Sequence, residues 1–239
     1  MKKISIAVFL VLNSIVLSAQ QANIVLELFT SQGCSSCPRA DQLLKKVAES
    51  AHGGEIITLA YHVDYWDRLG WKDPFSKATY SQYQYKYGQK FGGNSIYTPQ
   101  LVINGDQHIV GSDVKSLTNL LQKLNNKKFT SKIRLFNPVK GSNKISVDYT
   151  VESGLDDNLS VVLVLKEKVT SVKRGENRNK VLTDAYIVLD KKTVASLKIK
   201  SGTIDFDLDS KYTLNELQIV GYTQDQQLSL TGACKLELF

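Results

Sequence analysis

The sequence predicts an α/β layer domain followed by an antiparallel β-sandwich, and three observations predict it. A β-type run, Asn23 to Phe29, leads through Cys34-Ser35-Ser36-Cys37-Pro38 into a helix-type run, Arg39 to Ser50. A second β-type run, Glu55 to Tyr61, follows. Strand, helix and strand in about forty residues make a βαβ unit with a right-handed crossover. Beyond the polar segment Asn125-Asn126-Lys127-Lys128 the pattern changes to short alternating runs separated by turn residues, the signature of an antiparallel sandwich.

A chain of 239 residues accommodates two such domains, bounded here at 22–125 and 129–239. Its composition, 42% hydrophobic and 22% charged, is that of a globular chain and excludes global disorder. Residues 1–19 read as a signal peptide: Lys2-Lys3 is the positive start, Ile4 to Leu17 the apolar stretch, and Ser18-Ala19 the small residues for cleavage. Asn13-Ser14 interrupts the apolar stretch, which is too short for a membrane span. The expectation is an exported chain, periplasmic or extracellular, with no stable membrane span after cleavage. Losing Lys2 and Lys3 takes the formal charge from +7 to +5, a dispersed excess that points to no nucleic-acid partner. An oxidising compartment lets disulfides persist, and three Cys remain there: Cys34, Cys37 and Cys234.

Asn23 to Phe29 has the length and β-branched content of a buried strand, yet Glu27 interrupts it. A carboxylate on a core strand is costly unless paired or protonated. Glu27 is therefore either a solvent-facing edge residue or a buried proton-transfer acid beside the dithiol. The helix-type run carries Ala40, Leu43, Leu44, Val47 and Ala48 on one stripe, facing a core, and Gly53-Gly54 ends it.

Residues 62–94 hold both Trp of the chain and many of its Tyr. Tyr80, Tyr83 and Tyr87 share one helix face, with Tyr85 opposite, so a helical aromatic insertion packed on the sheet is expected. Part of it, with His62, Asp64 and Trp66, is a candidate rim for substrate. Asp64 and Asp67 also suit local turns, and Asp73-Pro74 a turn or helix start. Leu101 to Ile103 and Gln107 to Val110 form a hairpin about Asn104-Gly105, with Pro99 at its start. Ser112-Asp113 then caps a helix reaching about Asn125.

The later β-type runs are Lys132 to Phe136, Lys144 to Val151, Ser160 to Lys166, Ala185 to Leu189, Thr203 to Leu208, Glu216 to Thr223 and Ser229 to Phe239. In the last, period-two alternation puts Cys234 with Leu236 and Leu238 on the core face, as a buried small hydrophobe. Lys173 to Lys180 is a charged loop between strands.

Two thiols three positions apart at a strand-to-helix junction close a small disulfide ring. The free N–H groups and dipole of a helix start stabilise a thiolate there, which makes the first Cys the attacking group. Cys34, at the more exposed end, is the expected nucleophile and Cys37 the resolving thiol. The competing readings are a structural disulfide and a copper site from Cys34, Cys37 and His62, since soft thiolates favour Cu(I). A Cys34, His62 and Asp64 hydrolase is a weaker third, because no oxyanion hole is legible.

The stretch Glu27 to Pro38, then Ala60-Tyr61-His62-Val63-Asp64-Tyr65-Trp66, Gly70 to Phe75, Tyr97-Thr98-Pro99-Gln100, Val110-Gly111-Ser112-Asp113 and Arg174-Gly175-Glu176-Asn177 together resemble the exported thioredoxin-like family of domain of unknown function 1223. The resemblance covers nearly the whole mature chain; Arg39 stands where that family often has a second Pro. It implies a thioredoxin-like fold for 22–125, with Thr98-Pro99 joined in cis beside the dithiol and offering backbone hydrogen bonds to an extended client. It implies a thiol–disulfide oxidoreductase whose redox-active Cys34–Cys37 disulfide needs no further cofactor, acting with a protein or small-thiol client and a redox partner.

Overall fold

The structure, a computed structural model, describes residues 20–51, 55–93, 96–124, 127–152, 157–195 and 200–239. The signal peptide, Gly53-Gly54 and Asn125-Asn126 of the sequence reading lie outside these residues. The elements of the first half are β1 (Gln20–Gln21), β2 (Ile24–Thr30), α1 (Cys37–Ser50), β3 (Ile56–His62), α2 (Ala78–Lys90), β4 (Gln100–Ile103), β5 (Gln107–Val110) and α3 (Val114–Leu124). Those of the second half are β6 (Lys132–Lys140), β7 (Lys144–Glu152), β8 (Asn158–Ser171), β9 (Val181–Val194), β10 (Ser201–Asp207), β11 (Leu217–Gln224) and β12 (Leu230–Glu237). It is a mixed α/β architecture, mostly strands, with two sheets. Among the described residues no helix is long and apolar enough to cross a membrane.

β2 is buried along its whole length, Glu27 included, as its largely apolar run suits a strand covered on both faces. It runs parallel to β3, with Leu28 opposite Ala60, and antiparallel to β4, with Leu28 opposite Leu101. Alternation assigns its side chains to two layers. Leu26 and Leu28 pack with Ala40 and Leu44 of α1 and Leu117 of α3. Val25 and Phe29 face the other way, onto Tyr83 and Tyr87 of α2. Each fully buried aliphatic side chain of this kind contributes about 1.5–3 kcal/mol. The helical aromatic insertion is present: Tyr80, Tyr83 and Tyr87 are buried and Tyr85 is exposed.

The sequence pictured a sandwich separate from the first domain. Its seven strands form, but they do not stand apart. The large sheet runs β1-β12-β11-β8-β9-β3-β2-β4-β5, joined across the two halves where β9 lies parallel to β3 with Ala60 opposite Ile187. The second sheet, β10-β7-β6, packs its Leu135, Val147 and Tyr149 on Leu163, Ile219 and Leu236 of the first. Edge pairing between distant strands depends on backbone groups left free, which no side-chain pattern announces.

β8 and β9 are also longer than the runs read from sequence. Their pairing continues past Glu167 opposite Ala185 to Ser171 opposite Val181. The run read from sequence stops at Lys166 because the strand beyond it, from Glu167 on, is mostly solvated and carries no apolar alternation. The extended ribbon carries the 172–180 loop out to the N-terminal end of α1.

Candidate functional site: a covered dithiol above a buried acid cluster

β2 ends at Thr30 and α1 begins at Cys37, so Ser31 to Ser36 make the connecting loop. The loop is wound tightly: the Cys34 N–H donates to Ser31 O (3.1 Å), the Cys37 N–H to Cys34 O (3.3 Å) and the Gly33 N–H to Ser31 Oγ (3.0 Å). Cys34 and Cys37 are disulfide-bonded, and Ser36 Oγ lies 3.3 Å from Cys34 Sγ. Pro38 stands in the first turn, where its missing N–H costs nothing.

Trp66 ties this loop to Thr98 and Pro99. A Cβ at Gly33 would lie 3.0 Å from the Trp66 Cβ, a tight contact that glycine avoids. The indole N–H donates to Thr98 Oγ1 at 2.8 Å. The Thr98–Pro99 bond is cis, and Pro99 is buried. Gly111 closes the arrangement: its N–H donates to Pro99 O (2.9 Å), and a Cβ there would lie 3.0 Å from Ala40 of α1.

Cys34 was expected at an exposed helix end. It is instead fully buried, as is Cys37. The 172–180 loop folds over the dithiol loop. Asn177, itself fully buried, donates its amide to Gln32 O (2.9 Å) and Cys34 O (2.8 Å). The Ser35 N–H donates to Glu176 Oε2 at 2.9 Å. Hydrogen bonding from Ser35, its hydroxyl first and its backbone N–H second, holds the Glu176 carboxyl below its ordinary range.

Beneath the loop lies a buried cluster with one imidazole and three carboxyls. The His62 Nδ1 is 2.7 Å from Asp73 Oδ2, and the Gln32 N–H donates to that same oxygen at 2.8 Å. Gln32 also donates its amide to Asp184 Oδ2 (2.6 Å) and accepts from the Trp71 indole (3.0 Å). Thr30 Oγ1 donates to Asp41 Oδ2 at 3.0 Å. Asp41 Oδ1 and His62 Nε2 are buried without a partner among the described residues.

Burial opposes charge on His62, but the charge and hydrogen bond of Asp73, with Asp184 and Asp41 nearby, outweigh it and hold the imidazolium to a pKa of about 9. Burial likewise opposes the Asp73 carboxylate, yet His62 keeps its pKa below the ordinary value. Burial, reinforced by the Asp184 charge, pushes Asp41 up to about 8. The cluster thus holds an imidazolium–carboxylate pair and a neutral Asp41 at neutral pH.

The expected site residues part company here. Trp66 lies against Gly33 in the Cys34–Cys37 loop and bonds to Thr98, the residue before Pro99. His62 sits below them, paired with Asp73 and not with Asp64, whose carboxyl takes the Ser81 hydroxyl (2.5 Å). Asp67 does serve a local turn, accepting from the Asp73 N–H (3.1 Å) and the Ser76 hydroxyl (2.7 Å). Among the described residues no three His, Cys, Asp or Glu side chains are arranged to hold a metal ion. Cys234 is free and fully buried, its thiol pushed up to about 12 by burial.

Glu27 is no edge residue: it is fully buried on a central strand. It faces α2, whereas Thr30 and Asp41 lie on the α1 side. Its carboxyl takes the hydroxyls of Tyr83 (2.9 Å) and Tyr87 (2.5 Å), and burial raises its pKa against those bonds and the charge of Lys191.

Sequence reasoning missed Asp41, Asp73, Asp184, Gln32 and Asn177. One signal was available: Asp41 follows Cys37 by one helical turn, on the same face.

A solved structure resembles the chain throughout. The crystal structure of protein AGR_C_4864 from Agrobacterium tumefaciens aligns with a TM-score of 0.67 at 27% identity, over 90% of this chain and 94% of that one. A DUF3823 family protein from Bacteroides ovatus ATCC 8483 aligns with a TM-score of 0.29 at 15% identity, over 46% of this chain and 52% of that one, and carries no argument. No curated protein matches the chain. The model of the family described as Protein of unknown function (DUF1223) matches residues 25–224, most of the chain, and the protein belongs to that family.

Proposed function

We propose that the protein is an exported thiol–disulfide oxidoreductase with a thioredoxin-like centre, acting on a protein or small-thiol client. One observation carries this reading: the Cys34–Cys37 disulfide lies at the β2–α1 junction, in a loop that Trp66 fastens to the Thr98–Pro99 segment. A purely structural disulfide would not call for that fastening.

In the reduced protein the Cys34 thiolate attacks one sulfur of a client disulfide, and the other client sulfur leaves as a thiolate. Cys37 then loses its proton and attacks the Cys34 sulfur of the mixed disulfide. The Cys34–Cys37 bond forms and the second client thiolate departs. The client gains two electrons and the protein loses them; the reverse sequence oxidises a client.

In its ionised form, a minor fraction at neutral pH that grows as pH approaches 8, Asp41 takes the Cys37 proton in this scheme, the role that sequence reasoning gave to Glu27. Both side chains are buried one turn apart on α1, and Asp41 Oδ1 has no other partner. A carboxyl titrating at about 8 is matched to a thiol, so the proton moves with little free-energy change. His62, paired with Asp73, holds the charge balance of the cluster as Asp41 gains and later releases that proton.

The test is trapping. Cys37→Ser should accumulate a mixed disulfide with a model peptide disulfide, Cys34→Ser should form none, and both should lose reductase turnover. Wild-type turnover in both variants would sink the assignment.

A further inference from the structure

The opposite face of the sheet holds a second polar centre that disulfide exchange does not use. α2, β8, β9 and β11 border a cavity of about 520 Å³, within the range of pockets that enclose small organic molecules. Lys191 of β9 lines it. Its ammonium lies 3.4 Å from the Tyr83 ring centroid, 5.1 Å from that of Tyr222 and 5.8 Å from that of Tyr61. Cation–π contact stabilises the charge but supplies no anion.

The nearby carboxyls are committed elsewhere. Both oxygens of Glu27 accept tyrosine hydroxyls, and Asp190 at the cavity wall pairs with Lys192 (3.0 Å) and Lys77 (3.8 Å). Among the described residues Lys191 belongs to no ion pair. Lys86 of α2 lines the same cavity from its exposed side, adding a second positive charge. Tyr80 and Tyr83 give the wall an aromatic surface, and Gln224 a polar group.

We propose that this cavity binds a small organic anion, with its carboxylate or phosphate against Lys191 and Lys86 and its apolar body on Tyr80 and Tyr83. Two cations with an aromatic wall and no carboxylate at ion-pair distance from the inner one are complementary to such a ligand. Burial pulls the Lys191 ammonium down to about 7, with Glu27 acting the other way and Lys86 reinforcing it. An anion at hydrogen-bond distance favours the charged form. Glu27 from β2, Tyr61 from β3, Tyr83 and Lys86 from α2 and Tyr222 from β11 are the titratable groups that face it. Affinity should therefore fall as pH rises above 7.

Calorimetric titration of the purified protein with benzoate and with phenyl phosphate tests this, and benzyl alcohol is the neutral control. Either anion should bind at least about tenfold more tightly than the alcohol, the value of one charge-assisted contact. Which anion binds tighter separates a carboxylate from a phosphate site. Lys191→Met should lose that preference. Lys86→Gln, on the exposed side of α2, should weaken both anions without touching the core, which keeps the idea testable if Lys191→Met does not fold. Equal affinity for the alcohol, unchanged anion binding in the lysine variants, or no heat with either anion overturns the proposal.

Discussion

The side-chain amide of Asn177 donates to the backbone carbonyl of Cys34 at 2.8 Å, across 143 residues of chain. With its second bond to Gln32 O it fastens the β8–β9 loop over the dithiol and buries the first thiol of the pair. Under the proposed exchange chemistry, a client sulfur would reach Cys34 only after this cover shifts.

Asn177→Ala should therefore speed chemistry while costing stability. Gln32 O loses its donor and Cys34 O keeps only the Cys37 N–H, which costs about 1–3 kcal/mol. The disulfide should be reduced faster by dithiothreitol, and the thermal midpoint should drop. A variant with a lower midpoint and an unchanged reduction rate would mean that the loop braces the fold without gating the sulfurs.

Asp41→Asn keeps the side-chain shape and removes the proton acceptor. Decay of the mixed disulfide should slow by about 10²-fold or more, the usual worth of a general base. The initial attack by Cys34 should change little. Stopped-flow with a chromogenic disulfide separates the two phases, and equal slowing of both would argue for a structural role.

The stability that the His62 cluster contributes should fall with rising pH, whereas Lys191, pulled down to about 7, acts with the opposite sign above that pH. His62 is held at about 9 in the fold against 6.5 ordinarily, so its contribution is complete below 6.5 and lost as pH passes 9. Asp41, raised from 3.8 to about 8, acts with the same sign, since the folded form binds the extra proton. Asp73, held low, acts oppositely and only in acid. The margin by which the wild-type thermal midpoint exceeds that of His62→Gln should shrink from pH 6 to 10, the Lys191 contribution being common to both. An equal slope in both would remove the imidazolium from the account.

Gly105→Ala should destabilise the hairpin that follows Pro99. Gly105 has φ +71°, and an added Cβ would stand 2.0 Å from Leu228 O. The left-handed backbone alone costs about 1–2 kcal/mol for a residue with a Cβ, and the collision adds to it. Chemical denaturation would read the loss; a shift near zero would mean that the β11–β12 turn yields.

Much of this protein was determined locally and was legible in the sequence. The hydrophobic runs place β2, β3, α1 and α3, and the Tyr80, Tyr83 and Tyr87 spacing places α2. Asn104-Gly105 places the hairpin, and alternation about Cys234 puts that thiol in the core. These depend on side-chain period and turn chemistry, which act over a few residues.

Only the tertiary structure decided how the halves join and which acid serves which group. The β3–β9 pairing uses backbone groups, so no residue type signals it. The outer ribbon of β8 and β9 lies beyond the runs read from sequence because solvent, not a core, faces it. Glu27 and Asp41 are both buried acids near Cys34 in sequence. The pleat of β2 turns Glu27 toward α2 and its tyrosines, while the helical turn after Cys37 aims Asp41 at Thr30 and the His62 cluster. Their environments differ because the sheet lies between them, and a sheet is made only when distant strands meet.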